Sequence, residues 1–334
     1  MVTMKDVAQR ARVSTATVSH VLNGTRVVQP QTRERVLAAI HELGYEMDGV
    51  ARSLRVRATF TIALIIPDLS NPFFPELAVA VQLDAAHAGY DVVIYSVDVP
   101  HGGSRELFAH YLRAIRRRRH DAVIIAEALL LEPAAWRQLM AIGIPVVLIG
   151  GMPRPQADRV YIDDYAAARD VMDYLIHKGH TLIGHICGAP GMMSAAERRR
   201  GYRDGLRSAG LCASPDMEVS GTFLRAGGYT GMQQLLACSP RPTAVFAAND
   251  LTAVGALCAC LDAGVRVPDD VAIVGFDDIA LATDVRPVLT TVYHSQREIG
   301  QEAARLALAR LRGECPEEKQ TIIVPHRLVV RDSA

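Results

Sequence analysis

Residues 4–24 read as a helix, a tight turn and a second helix, and this short pattern constrains the chain more than anything that follows it. Val7, Ala8 and Ala11 fall at helical spacing on one face, and Val18, Val21 and Leu22 do the same in the second segment. Ser14 stands where an N-cap is needed, because its hydroxyl accepts from an otherwise unpaired amide in the next turn. Asn23-Gly24 ends the second helix with residues that tolerate left-handed backbone angles. Thr15, Ala16, Thr17 and His20 are then left facing away from the small core. Those sizes and polarities suit a helix that enters a DNA major groove.

Lys5-Asp6-Val7-Ala8, Val13-Ser14-Thr15-Ala16-Thr17-Val18-Ser19 and Val21-Leu22-Asn23 together resemble the headpiece of the lactose/galactose-repressor family of bacterial transcription factors. A third helix, 31–43, ends in the family-like Leu43-Gly44-Tyr45, and Val50-Ala51-Arg52-Ser53-Leu54-Arg55 resembles the family's hinge helix. Within the family the headpiece is most similar to the purine-repressor branch. The resemblance runs through nearly the whole chain.

The charge distribution agrees with a DNA-reading end on a separate body. The chain is neutral overall, with 36 Lys/Arg against 36 Asp/Glu, which excludes a uniformly basic nucleic-acid-coating protein. Residues 1–60 nevertheless hold nine Lys/Arg against five Asp/Glu. No apolar run approaches the roughly 20 residues of a membrane span, and Lys5, Asp6, Arg10 and Arg12 interrupt any signal-peptide core. The six cysteines at 187, 212, 238, 258, 260 and 315 have no paired spacing, so neither a metal site nor a disulfide framework is expected. These features predict a cytoplasmic protein without cofactor or metal.

From residue 61 the pattern changes to apolar strands alternating with amphipathic helices: strands 62–66, 92–95, 122–125 and 145–149 with helices 74–88, 104–119 and 133–142. A second series comprises helix 165–178, strand 182–187, helices 197–209 and 227–237, strand 243–247, helix 249–263 and strand 271–275. Continuously apolar strands in short βα repeats predict an α/β fold of parallel sheets covered on both faces, and two series predict two lobes. The division expected is a helix-turn-helix headpiece over 1–46, a hinge helix and linker over 47–60, and a bilobed effector-binding and dimerisation domain over 61–334. By the family resemblance the core is periplasmic-binding-protein-like, with a first lobe near 61–160 and 292–320 and a second near 161–291 and 321–331. A last helix at 295–312 and one strand over 321–329 are expected to cross between them. A C-terminal heptad segment of the tetramer-forming kind is not expected, so the resemblance implies a homodimer on a palindromic duplex.

The resemblance places Thr15, Ala16 and His20 at base-reading positions and Ser14, Thr17, Asn23 and Arg26 at phosphate-positioning ones; local capping is the other reading of Thr17 and Asn23. Leu54, between Arg52, Ser53 and Arg55, matches the leucine that wedges into the minor groove, with Arg55 lying along that groove and Arg52 beside it. A hinge this short is marginal alone, so an effector that changes the spacing of two copies would order or melt it.

Effector contacts implied by the family fall at the carboxyl ends of the strands. They are Phe73 and Phe74 in Asn71-Pro72-Phe73-Phe74, Asp163, Arg198 in Arg198-Arg199-Arg200-Gly201-Tyr202, Phe223, Asn249 and Asp277. Asp250 and Asp278 read as helix or turn caps. Met192 stands where the purine-repressor branch has a ligand-binding arginine, so a sugar or sugar derivative is expected ahead of a nucleobase or nucleoside. A dehydrogenase is disfavoured because no Gly-x-Gly-x-x-Gly opens the first βα unit, and His177, His180 and His185 read as structural. A solute receptor is disfavoured by the headpiece. The run Arg116-Arg117-Arg118-Arg119 reads as a solvated helix end.

Overall fold

The computed structural model describes residues 2–23, 26–45, 58–97, 105–118, 120–127, 133–151 and 154–334, apart from the side chains of Asn23, Arg105 and Arg118. The expected hinge helix, with Arg52, Leu54 and Arg55, lies outside them. The chain divides into two compact units, Met1–Thr59 and Phe60–Ala334.

Among its described residues the first unit holds three helices, α1 (Met4–Ala11), α2 (Thr15–Asn23) and α3 (Pro30–Leu43). Its core is small: Val7, Ala8, Ala11, Val18, Val36 and Ala39 are buried, with Val21, Leu22 and Tyr45 packed around them. So few apolar groups make local signals important. Thr3 and Asp6 form a reciprocal capping box at the start of α1. Ser14 caps α2, its Oγ accepting from the Thr17 amide at 3.1 Å. Arg12 turns the chain between α1 and α2 with φ 53°, an unusual conformation for a residue with a Cβ.

The second unit opens with three βα steps and two further strands: β1 (Thr61–Ile66), α4 (Phe73–His87), β2 (Asp91–Ser96), α5 (Arg105–Arg118), β3 (Ala122–Ala126), α6 (Pro133–Met140), β4 (Val146–Ile149) and β5 (Asp158–Tyr161). Then follow α7 (Asp164–His177), β6 (Ile183–Ile186), α8 (Met193–Ser208), β7 (Glu218–Val219), α9 (Arg225–Leu236), β8 (Ala244–Ala247), α10 (Asp250–Asp262) and β9 (Ala272–Val274). The chain closes with α11 (Leu281–Asp284), β10 (Thr291–His294), α12 (Gln296–Arg312), β11 (Thr321–Ile323) and β12 (His326–Val329). A six-stranded parallel sheet has the order β11-β5-β4-β3-β1-β2, and a four-stranded parallel sheet the order β7-β6-β8-β9. Strands such as Thr61–Ile66 are apolar on both faces because helices cover both.

The sequence-predicted strand at 321–329 is two strands in two sheets. β11 pairs with β5 at the edge of the first sheet, whereas β12 pairs antiparallel with β10. Pro325, without an N–H, separates them, so residues 321–323 belong with the first lobe rather than the second. α12 also stays with the first lobe; Gly300 lets it approach α4 so closely that an added Cβ would stand 2.5 Å from the Leu77 carbonyl. β10 and β12 make the crossing. The Arg310 guanidinium pins the end of α12 to β5 through Asp158, at 2.8 and 2.7 Å. Burial pushes the Asp158 pKa up, but Arg310 and the Gln320 amide outweigh it and hold the carboxyl below the usual range.

Candidate functional site

On the headpiece, Thr15 and Ala16 are exposed on the outer face of α2, with Ser14 and Arg26 also exposed and His20 half-buried. Thr17 is committed locally, its hydroxyl 2.9 Å from that of Ser14. α2 thus presents small polar groups on a rigid three-helix base, which is what reading base edges requires. The Arg10–Glu42 ion pair ties α1 to α3, but both partners are half-exposed and their contact is a minor one.

In the second unit, the carboxyl ends of β1, β3, β4 and β5 face α8 and the turn after β9 across a cleft of about 730 Å³ including its mouth. Arg198, on the second turn of α8, organises it. Its Nε donates to Asp164 Oδ1 at 2.8 Å, its Nη1 to the Ala248 carbonyl at 2.6 Å, and its Nη2 lies 3.5 Å from Asp277 Oδ1. The guanidinium also stacks on Phe276, 3.5 Å from the ring centroid. Burial opposes its charge, yet Asp164 and Asp277 more than offset this and raise its pKa. Arginine carries five N–H donors; three are engaged here, leaving two for a ligand.

The expected residues Phe73, Phe74, Met192, Arg198, Phe223 and Asp277 all line the cleft. Phe74 belongs to the core behind it, while Phe73 is only partly buried, set edge-on to Phe74 with centroids 5.0 Å apart. Phe73 is therefore the ring available for stacking. Phe223, at φ 63°, occupies space that a Cβ at Gly188 would need, 2.2 Å from its ring. Met192 sits with Ala189, Ala195, Phe223 and Ala248 in a small apolar cluster.

Two expected contacts do not line this cleft, although Asp163 borders the adjoining hollow with Tyr161, Ile162 and Asp164. Asn249 caps α10: its Oδ1 accepts from the amide and hydroxyl of Thr252, and its Nδ2 donates to the Phe223 carbonyl. It bears on the cleft by holding Phe223. Asp163 caps α7, accepting from the Ala166 amide at 2.9 Å, and it is its neighbour Asp164 that reaches Arg198. Asp250 secures a turn as expected, accepting from the Ile279 amide and from Thr291; burial, then the charge of Asp277, raise its pKa well above the carboxylate range. Asp278 instead pairs with Arg331 at 2.7 Å. The three histidines are separated in role: His177 meets the Asp173 carbonyl, His180 meets Thr243, and His185 is buried between Tyr202 and Phe246.

Sequence reasoning missed Glu127, Ser194 and His294, which also line the cleft. Glu127 follows β3 directly, so its place at a strand's carboxyl end was a usable signal. Its Oε2 is buried without a hydrogen-bond partner. Burial, then the nearby charge of Asp164, push its carboxyl from 4.5 to about 7, with Ser194 hydrogen bonds and Arg198 opposing. The folded protein therefore retains a proton that the unfolded chain releases between those values, so stability falls as pH rises through the window. Glu127→Gln is expected to be more stable than wild type at pH 8, by at most roughly 3 kcal/mol, and equal to it near pH 4.5. Thermal melts across that range check this; a constant difference at all pH values contradicts it.

Among the described residues no helix is long and apolar enough to cross a membrane. Residues 3–48 match the model for bacterial regulatory proteins of the lacI family, and 172–334 match a periplasmic binding protein-like domain. The HTH-type transcriptional repressor PurR of Erwinia tasmaniensis is 36% identical, covering 100% of this chain and 97% of its own. The ribose operon repressor of Escherichia coli K12 is 34% identical over 97% of this chain and 98% of its own. Among solved structures, the lac repressor dimer bound to operator and the anti-inducer ONPF aligns with a TM-score of 0.88 at 27% identity, covering 99% and 98% of the two chains. The complex of the transcriptional regulator CelR with cellobiose aligns at 0.76 with 32% identity over the whole of both. With relatives this similar along its full length, the chain belongs to the lacI family of bacterial regulatory proteins.

Proposed function

We propose that the protein is a transcriptional repressor that binds a palindromic operator as a homodimer and is controlled by a small polyhydroxylated effector, a sugar or sugar derivative, held in the cleft. The observation that carries this is the Arg198 network. A buried guanidinium, fixed by two carboxylates and an aromatic face, keeps two donors toward a cavity lined by Phe73 and Phe223. Planar hydroxyl pairs suit such a fork, and the aromatic faces suit the C–H face of a sugar ring. Met192, an apolar group in the expected place of a purine-binding arginine, supports a sugar over a nucleobase.

A homodimer is supported by exposed apolar groups on the second unit: Val79 and Leu83, one turn apart on α4, are 53% and 44% exposed. Two headpieces then read two half-sites related by the same two-fold axis. Thr15, Ala16 and His20 contact bases, Ser14, Thr17, Asn23 and Arg26 the phosphates, and Leu54, with Arg52 and Arg55, the minor groove.

Selection of duplexes from a random pool is expected to enrich an inverted repeat, and candidate sugars to shift the affinity for it. In a salt-matched titration Leu54→Ala is expected to lose most of that affinity, because unstacking a base step by an inserted side chain permits the bend that brings the other contacts in. Effector-induced thermal stabilisation of the same variant should be unchanged. Enrichment of no symmetric sequence would overturn the reading.

A further inference from the structure

The charges around the cleft do not balance, and the imbalance has a location. Among the described residues four carboxyl groups line it, from Asp68, Glu127, Asp164 and Asp277, against the one guanidinium of Arg198. Asp68 is turned to Ser70, accepting from its amide at 2.8 Å and its hydroxyl at 2.6 Å. Asp164 and Asp277 share Arg198. Arg159, the next cation, lies over the Tyr161 ring and donates to the Gly150 carbonyl. Among the described residues Glu127 is thus left without a paired cation: Ser194 hydrogen-bonds its carboxyl, but Oε2 is buried and unpartnered and Oε1 lies over Gly150.

A second unmet group faces the same space. His294 is 1% exposed, lines the cleft beside Phe73, and directs Nε2 at Asp277 Oδ1, 3.3 Å away. Nδ1 of the same ring has no hydrogen-bond partner. The unpartnered oxygen of Glu127 therefore calls for a donor from the ligand. A phosphate or carboxylate supplies none and adds charge of the wrong sign. A hydroxyl satisfies one acceptor, and an ammonium supplies three donors together with the missing charge.

Resting on the reading of the cleft as the effector site, we propose that the effector is a polyhydroxylated molecule carrying an ammonium group, and that Glu127 selects it. The carboxyl's raised pKa agrees, because a buried carboxylate without a counter-ion takes up a proton and an ammonium displaces that proton.

The test is calorimetric titration of the full chain with D-glucose, D-glucosamine, D-glucuronate and D-glucose 6-phosphate, and with the matching galactose series. The amine is expected to bind on the order of 10- to 100-fold more tightly than its neutral parent, with no measurable binding of either anion. Glu127→Gln should bring amine and parent to parity. At pH 7, titrations in buffers of different ionisation enthalpy should show release of up to about half a proton per amine bound, and none in the Gln variant. Parity in the wild type, or binding of an anionic member, overturns this inference and leaves the effector site standing. Binding by none of the set overturns both.

Discussion

Arg198→Ala is expected to abolish the response to any effector, lowering affinity at least 100-fold, and to destabilise the second unit by about 3–5 kcal/mol. The guanidinium holds Asp164, Asp277 and the Ala248 carbonyl at once. Its removal leaves two largely buried carboxylates facing each other without a cation, which costs more than the contacts themselves. Arg198→Lys is expected to recover little, since an ammonium cannot span three partners or stack flat on Phe276. Thermal melts and operator titrations with effector present check both effects. Full effector response in the alanine variant would remove Arg198 from the mechanism.

Gly255→Val is expected to destabilise the second lobe strongly, by roughly 3 kcal/mol or more. α9 and α10 approach through Gly228 and Gly255: a Cβ at Gly255 would stand 2.0 Å from the Arg225 carbonyl, and one at Gly228 equally close to that of Thr252. Backbone cannot yield as a flexible side chain can, so the helices must separate and open the core of Met232, Leu235 and Ala256. The same separation moves Asn249, which caps α10 and holds Phe223, so weakened effector binding is expected beside the lost stability. Urea unfolding measures the first and ligand titration the second; a loss below about 1 kcal/mol contradicts the close-contact argument.

The headpiece was readable because its signals are local. Ser14 caps α2, and Val7, Ala8, Ala11 and Val18 repeat at helical spacing. β1, β3 and β8 were readable as unbroken apolar runs. β5 was not, because Asp158 and Arg159 break its pattern; Arg310, arriving from α12, makes that buried aspartate tolerable. β7 has only two residues, too few for any periodicity. α8 starts at Met193, earlier than expected; no side chain caps it, so its start carried no local signal. Pro325 was a visible break in 321–329, but nothing nearby in the chain says that the halves join different sheets.

The cleft shows the same division more sharply. Asp163 and Asp164 are adjacent and chemically identical, yet one caps α7 while the other meets Arg198. Which does which depends on where α8 delivers a guanidinium from 34 residues away. Sequence alone determined the order and kind of most elements and the arginine at the centre, since periodicity, caps and motif residues act over a few positions. Only the tertiary structure decided which carboxyls face the cavity, that Glu127 has no paired cation among the described residues, and that His294 meets Asp277. Those outcomes rest on distances and charge balance among groups far apart in the chain.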